Sequence, residues 1–199
     1  MTTYDRVSTP RLELRAVTSQ DLDDVHELHA DPRVWEHLPS GRHTELATTA
    51  RLVDEIVRDW ADTGLGYWAV RPRVDLPGGP VAGSLVGVAG VKRVSMTRWN
   101  LYYRLAPHAQ GYGLAGETVT AALDAAAGAD ASLPVVAYML EHNVASWRIA
   151  ERAGLHRCWR GPDRGNPDPA AVRLVYADRP VTPDALADLT VAPSTAGDE

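Results

Sequence analysis

The chain has 199 residues, 45% of them hydrophobic, enough to bury one substantial core and too few for two ordinary domains. A formal net charge of -6 and the lack of any Lys or Arg run argue against nucleic acid as the main partner, because that contact is built from clustered basic side chains. Cys158 is the only cysteine, which rules out an intramolecular disulfide. With the polar opening "MTTYDRVSTP" and no apolar stretch of membrane-spanning length, a cytoplasmic location and no membrane partner are expected.

In chain order, "RLELRAV" (Arg11 to Val17) alternates apolar and charged residues as a half-buried strand does. "TSQDLDDVHELHA" then switches to helical spacing, with Thr18 or Ser19 as a cap and Asp21 in the first turn. A second helix is predicted from Glu45 to Asp62, with Leu46, Leu52, Val53, Ile56, Val57 and Trp60 along one side. "GYWAVR" and "SLVGVAGVKRV" read as strands joined by the Pro- and Gly-rich hairpin loop "PRVDLPGGPVAGS", and "WNLYYRLA" (Trp99 to Ala106) completes a meander that Pro107 ends. An Ala-rich helix to about Ala127 follows, then the strand "PVVAYML", the short helix "VASWRIAERAG", and two weaker strands near His156 to Arg160 and Val172 to Tyr176. One domain over residues 8–178 is expected. The polar, Pro-punctuated stretch 179–199 reads as a mobile tail with one turn around Asp184 to Leu189.

The segment "APHAQGYGLAGETVTAAL" (Ala106 to Leu123) carries a literal G-x-G-x-x-G at Gly111, Gly113 and Gly116. Backbone N–H groups that converge where a loop enters a helix suit any phosphate, since the donors point at one place and the helix dipole favours negative charge. A dinucleotide is one reading: a helix and a strand follow, and Glu141 sits at that strand's end, where a ribose-binding acid would be. Against it, "PHAQ" separates the loop from its strand, and a meander precedes it in place of a second nucleotide-binding half. A plain helix entry, with glycines for the turn, is the third reading.

Downstream, "EHNVASWRIAERAGL" places Asn143 just past a strand end and Ser146 in the first turn of a helix. Here the chain resembles a family. Gln110-x-x-Gly113-x-Ala115 is similar to the Q/R-x-x-G-x-G/A loop of the GNAT N-acetyltransferase superfamily, and Asn143-x-x-Ser146 followed by "AERAGL" is similar to its next block. "TPRLELRAVTSQDLDDVHELHADPRV" looks like the opening of the branch that holds the ribosomal-protein N-terminal acetyltransferases, RimJ and RimL. The resemblance spans roughly residues 8–178 and implies a single-domain α/β fold with a mixed, splayed central sheet flanked by helices.

It also implies acetyl-CoA as cosubstrate, an amine acceptor (a protein N-terminus or a small amine), and direct attack of the amine on the thioester through a tetrahedral oxyanion. Trp99 to Ala106 and Pro134 to Leu140 would be the splayed pair, and backbone groups near Leu105 and Ala106 would pair with the pantetheine arm. Gln110, Gly111, Gly113, Ala115 and Gly116 would surround the pyrophosphate. Asn143 would hydrogen-bond the pantetheine, a role compatible with capping its helix. Homodimerisation stays open, as does the alternative of a non-catalytic CoA-binding module.

The reaction needs an amine without its proton, a donor for the oxyanion and an acid for sulfur. Many relatives carry that acid as a Tyr seven residues after the Asn, where this chain has Ala150. Ser146 occupies the place of a serine used by some members of the branch, so its hydroxyl is the candidate acid; first-turn capping is its other reading. Where relatives often carry a catalytic Glu, this chain has Asn100, and an amide cannot take a proton. Trp35, Glu36 and His37, between the first two helices, fall where the family's acceptor site is overhung, and simple loop packing is the competing reading. His26, His29, His37 and His43 have generic spacing and no accompanying cysteine, so no metal is expected.

Overall fold

Residues 3–94, 96–164, 166–183, 186 and 189 are described by a computed structural model. Its strands are β1 (Arg6–Ser8), β2 (Leu12–Ala16), β3 (Tyr67–Pro72), β4 (Gly87–Val94), β5 (Arg98–Leu105), β6 (Val135–Leu140), β7 (His156–Pro162) and β8 (Val172–Ala177). The helices are α1 (Leu22–Ala30), α2 (Leu46–Thr63), α3 (Leu114–Asp130) and α4 (Val144–Arg152), with short 3-10 turns at Ser19–Asp21, Pro32–Trp35, Pro39–Gly41 and Pro107–Ala109. The expected strands and helices are therefore present. The hairpin of β1 on β2, which pairs Val7 with Leu14, is an addition.

Local causes are visible in the helices. In α2, Val53, Ile56 and Trp60 fall at helical spacing and are buried, and Gly64 ends the helix at φ 71 with its N–H on the Trp60 carbonyl. Before α1, the Thr18 N–H donates to Asp21 Oδ2 at 2.8 Å. α3 runs to Asp130 and includes Gly128, where a Cβ would strike the Tyr4 hydroxyl that packs on the helix.

The eight strands form one mixed sheet in the order β1-β2-β3-β4-β5-β6-β8-β7. Every neighbouring pair is antiparallel except β5 and β6, which run parallel with α3 as their crossover. Their pairing is recorded at Trp99↔Val135 and Asn100↔Val136 alone. Beyond it, β5 continues to Leu105 against β4, and β6 continues to Leu140 against β8. The sheet thus opens into a wedge whose closed end is Asn100/Val136 and whose wide end faces the glycine loop.

Strand alternation assigns the two faces. Tyr102 meets His29 of α1, whereas Tyr103 meets Ser146 of α4, so α1 and α4 lie on opposite faces of β5. The main core gathers Leu12, Leu14, Val25, Ile56, Trp68, Val88, Trp99, Leu114, Val119 and Leu155 from sheet and helices. A smaller cluster joins Val136, Val175, Ala177 and Leu189. The expected turn around Asp184 to Leu189 falls largely outside the described residues; of those described, Leu186 donates its N–H to the Thr182 carbonyl and Leu189 is buried.

Candidate active site

The same alternation sorts the backbone of β5. Ala106 gives its N–H to Val86 beyond β4, and Trp99 gives its N–H to Pro134 at the start of β6. Residues an even step from Trp99, namely Leu101, Tyr103 and Leu105, therefore turn their N–H and C=O groups toward the wedge. The Leu105 carbonyl accepts from Gln110 Nε2 at 3.2 Å. Ala106 stands differently from Leu105: its N–H is engaged by Val86 and its carbonyl by the Ala109 N–H, so both of its backbone groups are committed inside the protein.

At the wide end the chain makes a 3-10 turn and enters α3 through Gly111 (φ 83) and Gly113 (φ 76), left-handed conformations that other residues adopt only with strain. A Cβ at Gly111 or Gly116 would meet nothing within 4 Å, and one at Gly113 would meet only Arg11 Nη2 at 3.6 Å. The loop is open on its outer side, no side chain caps α3, and the N–H groups of Leu114, Ala115 and Gly116 begin the helix. This cradle fits a pyrophosphate.

Sequence reasoning missed a cation beside it. Arg11, immediately before β2, reaches the Tyr112 carbonyl with Nη1 (2.7 Å) and Glu117 Oε2 with Nε (2.7 Å). Burial alone would raise the Glu117 carboxyl, but hydrogen bonds from Thr9 and Arg11 hold it below the ordinary carboxylate range. The pair ties the residue before β2 to the first turn of α3 across more than a hundred residues, a link no local pattern announces.

On the α4 face, Asn143 caps its helix: Oδ1 accepts from the Ser146 N–H at 3.3 Å, leaving Nδ2 without a partner among the described residues. Ser146 Oγ donates to the Tyr103 hydroxyl at 3.1 Å, which in turn donates to the Ser146 carbonyl at 2.7 Å. Desolvation pushes the Tyr103 phenol up to about 12, so it stays protonated at neutral pH. Ala150, at the position of the missing tyrosine, is fully buried.

On the α1 face, Asn100 is buried and its Nδ2 donates to the Tyr67 hydroxyl at 2.8 Å. Arg104 organises the neighbouring residues. Its Nε donates to the Tyr102 hydroxyl (2.7 Å), Nη1 to the Val34 carbonyl (3.2 Å), and its guanidinium lies 3.4 Å from the centre of the Trp35 ring. His29 Nδ1 meets the Val25 carbonyl at 2.9 Å and so carries the proton, leaving Nε2 to accept from Tyr102 at 3.1 Å. Burial first, then the Arg104 charge, lowers His29 to about 3.

The three residues between α1 and α2 separate. Trp35 is buried, with its Nε1 on the His29 carbonyl, so it anchors the segment. Glu36 is exposed and His37 half-buried, and both line a cleft of about 370 Å³ with Leu140, His142, Asn166 and Asp168. Desolvation lowers His37 to about 4, which leaves its ring neutral at pH 7. Among the described residues there is no group of three or more His, Cys, Asp or Glu arranged to hold a metal ion. Glu141, the ribose-binding acid of the dinucleotide reading, is paired through both oxygens with Arg160 at 2.7 and 2.8 Å.

A wedge between parallel central strands, with a glycine-rich helix entry at its mouth, leaves a site open to a ligand that carries both amides and phosphate. The family model for the acetyltransferase (GNAT) domain matches residues 11–156, and the chain belongs to that family. A GnaT-family acetyltransferase from Bordetella pertussis superposes with a TM-score of 0.71 at 20% identity, covering 87% of this chain and 99% of that one. RimL, a ribosomal alpha-N-protein acetyltransferase in complex with coenzyme A, gives 0.69 at 18% identity over 88% and 98% of the two chains. The microcin self-immunity acetyltransferase MccE, in complex with acetyl-CoA and AMP, gives 0.65 at 12% identity over 87% and 94%. The dinucleotide reading of the glycine loop gives way to this assignment. Among the described residues no helix is long and apolar enough to cross a membrane.

Proposed function

We propose that this GNAT-family protein transfers an acetyl group from acetyl-CoA to a primary amine, which enters on the α1 face beside Glu36 and His37. The observation that carries the reading is the wedge itself. It closes at Asn100/Val136, opens toward the glycine loop, and turns the backbone groups of Leu101, Tyr103 and Leu105 inward, where an amide-containing arm can pair with them. The pyrophosphate would rest on Gln110, Gly111, Gly113, Ala115 and Gly116, with Arg11 alongside, and Asn143 Nδ2, which has no partner among the described residues, would bond the pantetheine.

In the reaction a neutral amine attacks the thioester carbonyl, a wedge-facing N–H of β5 supports the oxyanion, and Ser146 gives its proton to the leaving sulfur. Asn100 fills the base position as a structural residue bonded to Tyr67, so the amine arrives already neutral or loses its proton to water. The acceptor in this reading is a peptide N-terminus or a small amine, held in the cleft of about 370 Å³ that Glu36 and His37 line. The test is release of coenzyme A thiol, with the acetylated product identified by mass, across α-amino peptides, lysine peptides and small amines. Turnover with one class supports the reading. Binding of acetyl-CoA with no turnover for any amine would leave a coenzyme-binding module and overturn it.

A further inference from the structure

Resting on the assignment of Ser146 as the acid, we propose that Tyr103 is a further residue of the proton path, and that the two hydroxyls work as one relay spanning the wedge from β5 to α4. The two side chains come from opposite walls. Tyr103 stands on β5, Ser146 on the helix that follows β6, and the Tyr103 hydroxyl makes two hydrogen bonds to the same serine.

The geometry sets a constraint. A serine hydroxyl has one proton, and in this structure it points at Tyr103, not outward. To protonate sulfur, Ser146 must release Tyr103. The phenol O–H, until then on the Ser146 carbonyl, can swing to Ser146 Oγ and refill it. The step balances: the C–S bond breaks with its electron pair on sulfur, the Ser146 proton forms the S–H bond, and the Tyr103 proton replaces it on Oγ. The phenolate recovers a proton from water, which receives the one lost by the amine. A phenol is a far stronger acid than an aliphatic alcohol, so a refilled Ser146 avoids carrying an alkoxide. A strand tyrosine thereby supplies what the helix lacks at Ala150.

A purely structural alternative is that Tyr103 only clamps α4 through the Ser146 carbonyl, and three variants separate the two. Ser146→Ala keeps the clamp and removes the relay, Tyr103→Phe removes both, and Ser146→Thr keeps the hydroxyl. The relay requires Ser146→Ala and Tyr103→Phe each to lower kcat about 10²-fold. The double variant should be no slower than the slower single one, Ser146→Thr should retain activity, and acetyl-CoA affinity by titration should change less than about threefold. The native enzyme should also give a curved dependence of kcat on the D₂O fraction, and Tyr103→Phe a straight one.

If Ser146→Ala is slow and Tyr103→Phe is not, the relay fails while the Ser146 assignment stands. A normal kcat for Ser146→Ala removes that assignment and the relay with it. Reduced acetyl-CoA affinity in Tyr103→Phe with kcat intact at saturation reduces Tyr103 to the clamp. Should Tyr103→Phe fail to fold, additive losses when Ser146→Ala is combined with 3-fluorotyrosine at position 103, whose phenol is more acidic, would overturn the relay. A kcat that responds to fluorination only when Ser146 is present would support it.

Discussion

Gly113→Ala separates the two roles of the glycine loop, conformation and coenzyme binding. Gly113 has φ 76, and an added Cβ would meet only Arg11 Nη2 at 3.6 Å, an ordinary contact. The cost to the free protein is therefore backbone strain alone, about 1–2 kcal/mol, or roughly 2–8 °C in Tm at this chain length. Gly83, in the loop between β3 and β4, is a matched control with φ 78 and nothing within 4 Å of an added Cβ, so Gly83→Ala should cost the same. Acetyl-CoA at one hundred times its Kd should raise the native Tm by an amount equivalent to about 2.7 kcal/mol. Gly83→Ala should keep that rise in full. Gly113→Ala should lose most of it at the same acetyl-CoA concentration, because the methyl group stands where the pyrophosphate must approach the backbone. The assay is differential scanning fluorimetry across an acetyl-CoA titration, with NAD as a ligand expected to shift none of the three proteins. An undiminished shift in Gly113→Ala, or an equal loss in both variants, would refute the placement of the pyrophosphate.

Three further outcomes follow from the α1 face. Removing Arg104 deletes its bonds to Val34 and Tyr102 and a cation–π contact of about 0.5–2 kcal/mol with Trp35. Arg104→Leu should therefore raise the acceptor KM while leaving acetyl-CoA affinity within about threefold, and Arg104→Lys should not rescue it, since an ammonium lacks the planar fork. His29 has its folded pKa lowered to about 3 from 6.5. The unfolded chain thus binds the extra proton first, and stability is lost as pH falls below about 6.5, by up to about 1.4 kcal/mol per pH unit. Denaturant titrations from pH 7 to 4 should show a shallower decline in His29→Gln than in the native protein. Asn100→Ala should cost about 1–3 kcal/mol by stranding the Tyr67 hydroxyl. It should leave the rising limb of kcat/KM tracking the amine's own pKa, near 8 for an α-amino group and about 10 for lysine; a limb fixed near 6 to 7 for every amine would reveal an enzyme base.

The elements that sequence reasoning located are those whose pattern is local. The alternation of β2, the Val53, Ile56 and Trp60 stripe of α2 and the glycines before α3 each declare themselves within one window of chain. β1 escaped because three residues carry no period, and it exists only because β2 offers it an edge. α3 extends three residues past the expected end near Ala127, and its Gly128 leaves room for the Tyr4 hydroxyl, a contact that no local pattern announces.

The site divides in the same way. Gln110, Gly111, Gly113, Asn143 and Ser146 lie in two contiguous motifs and could be named from them. The side chains that complete the site, Arg11 beside β2 and Tyr67, Tyr103 and Arg104 within strands, stand in local sequence that is that of any half-buried strand, and their partners lie from 33 to more than 100 residues away. What selects them is the parity of β5. One residue places a hydroxyl on the α1 face with His29, and the next places one on the α4 face with Ser146, so a single-residue slip against β4 would exchange Tyr102 and Tyr103. Asn100 would then leave Tyr67, and the serine would lose its phenol. The chemistry of the wedge thus depends on a register held by eight residue pairs between β4 and β5, from Gly87↔Leu105 to Val94↔Arg98. That long-range pairing, rather than either motif, brings the two faces of the reaction to one place.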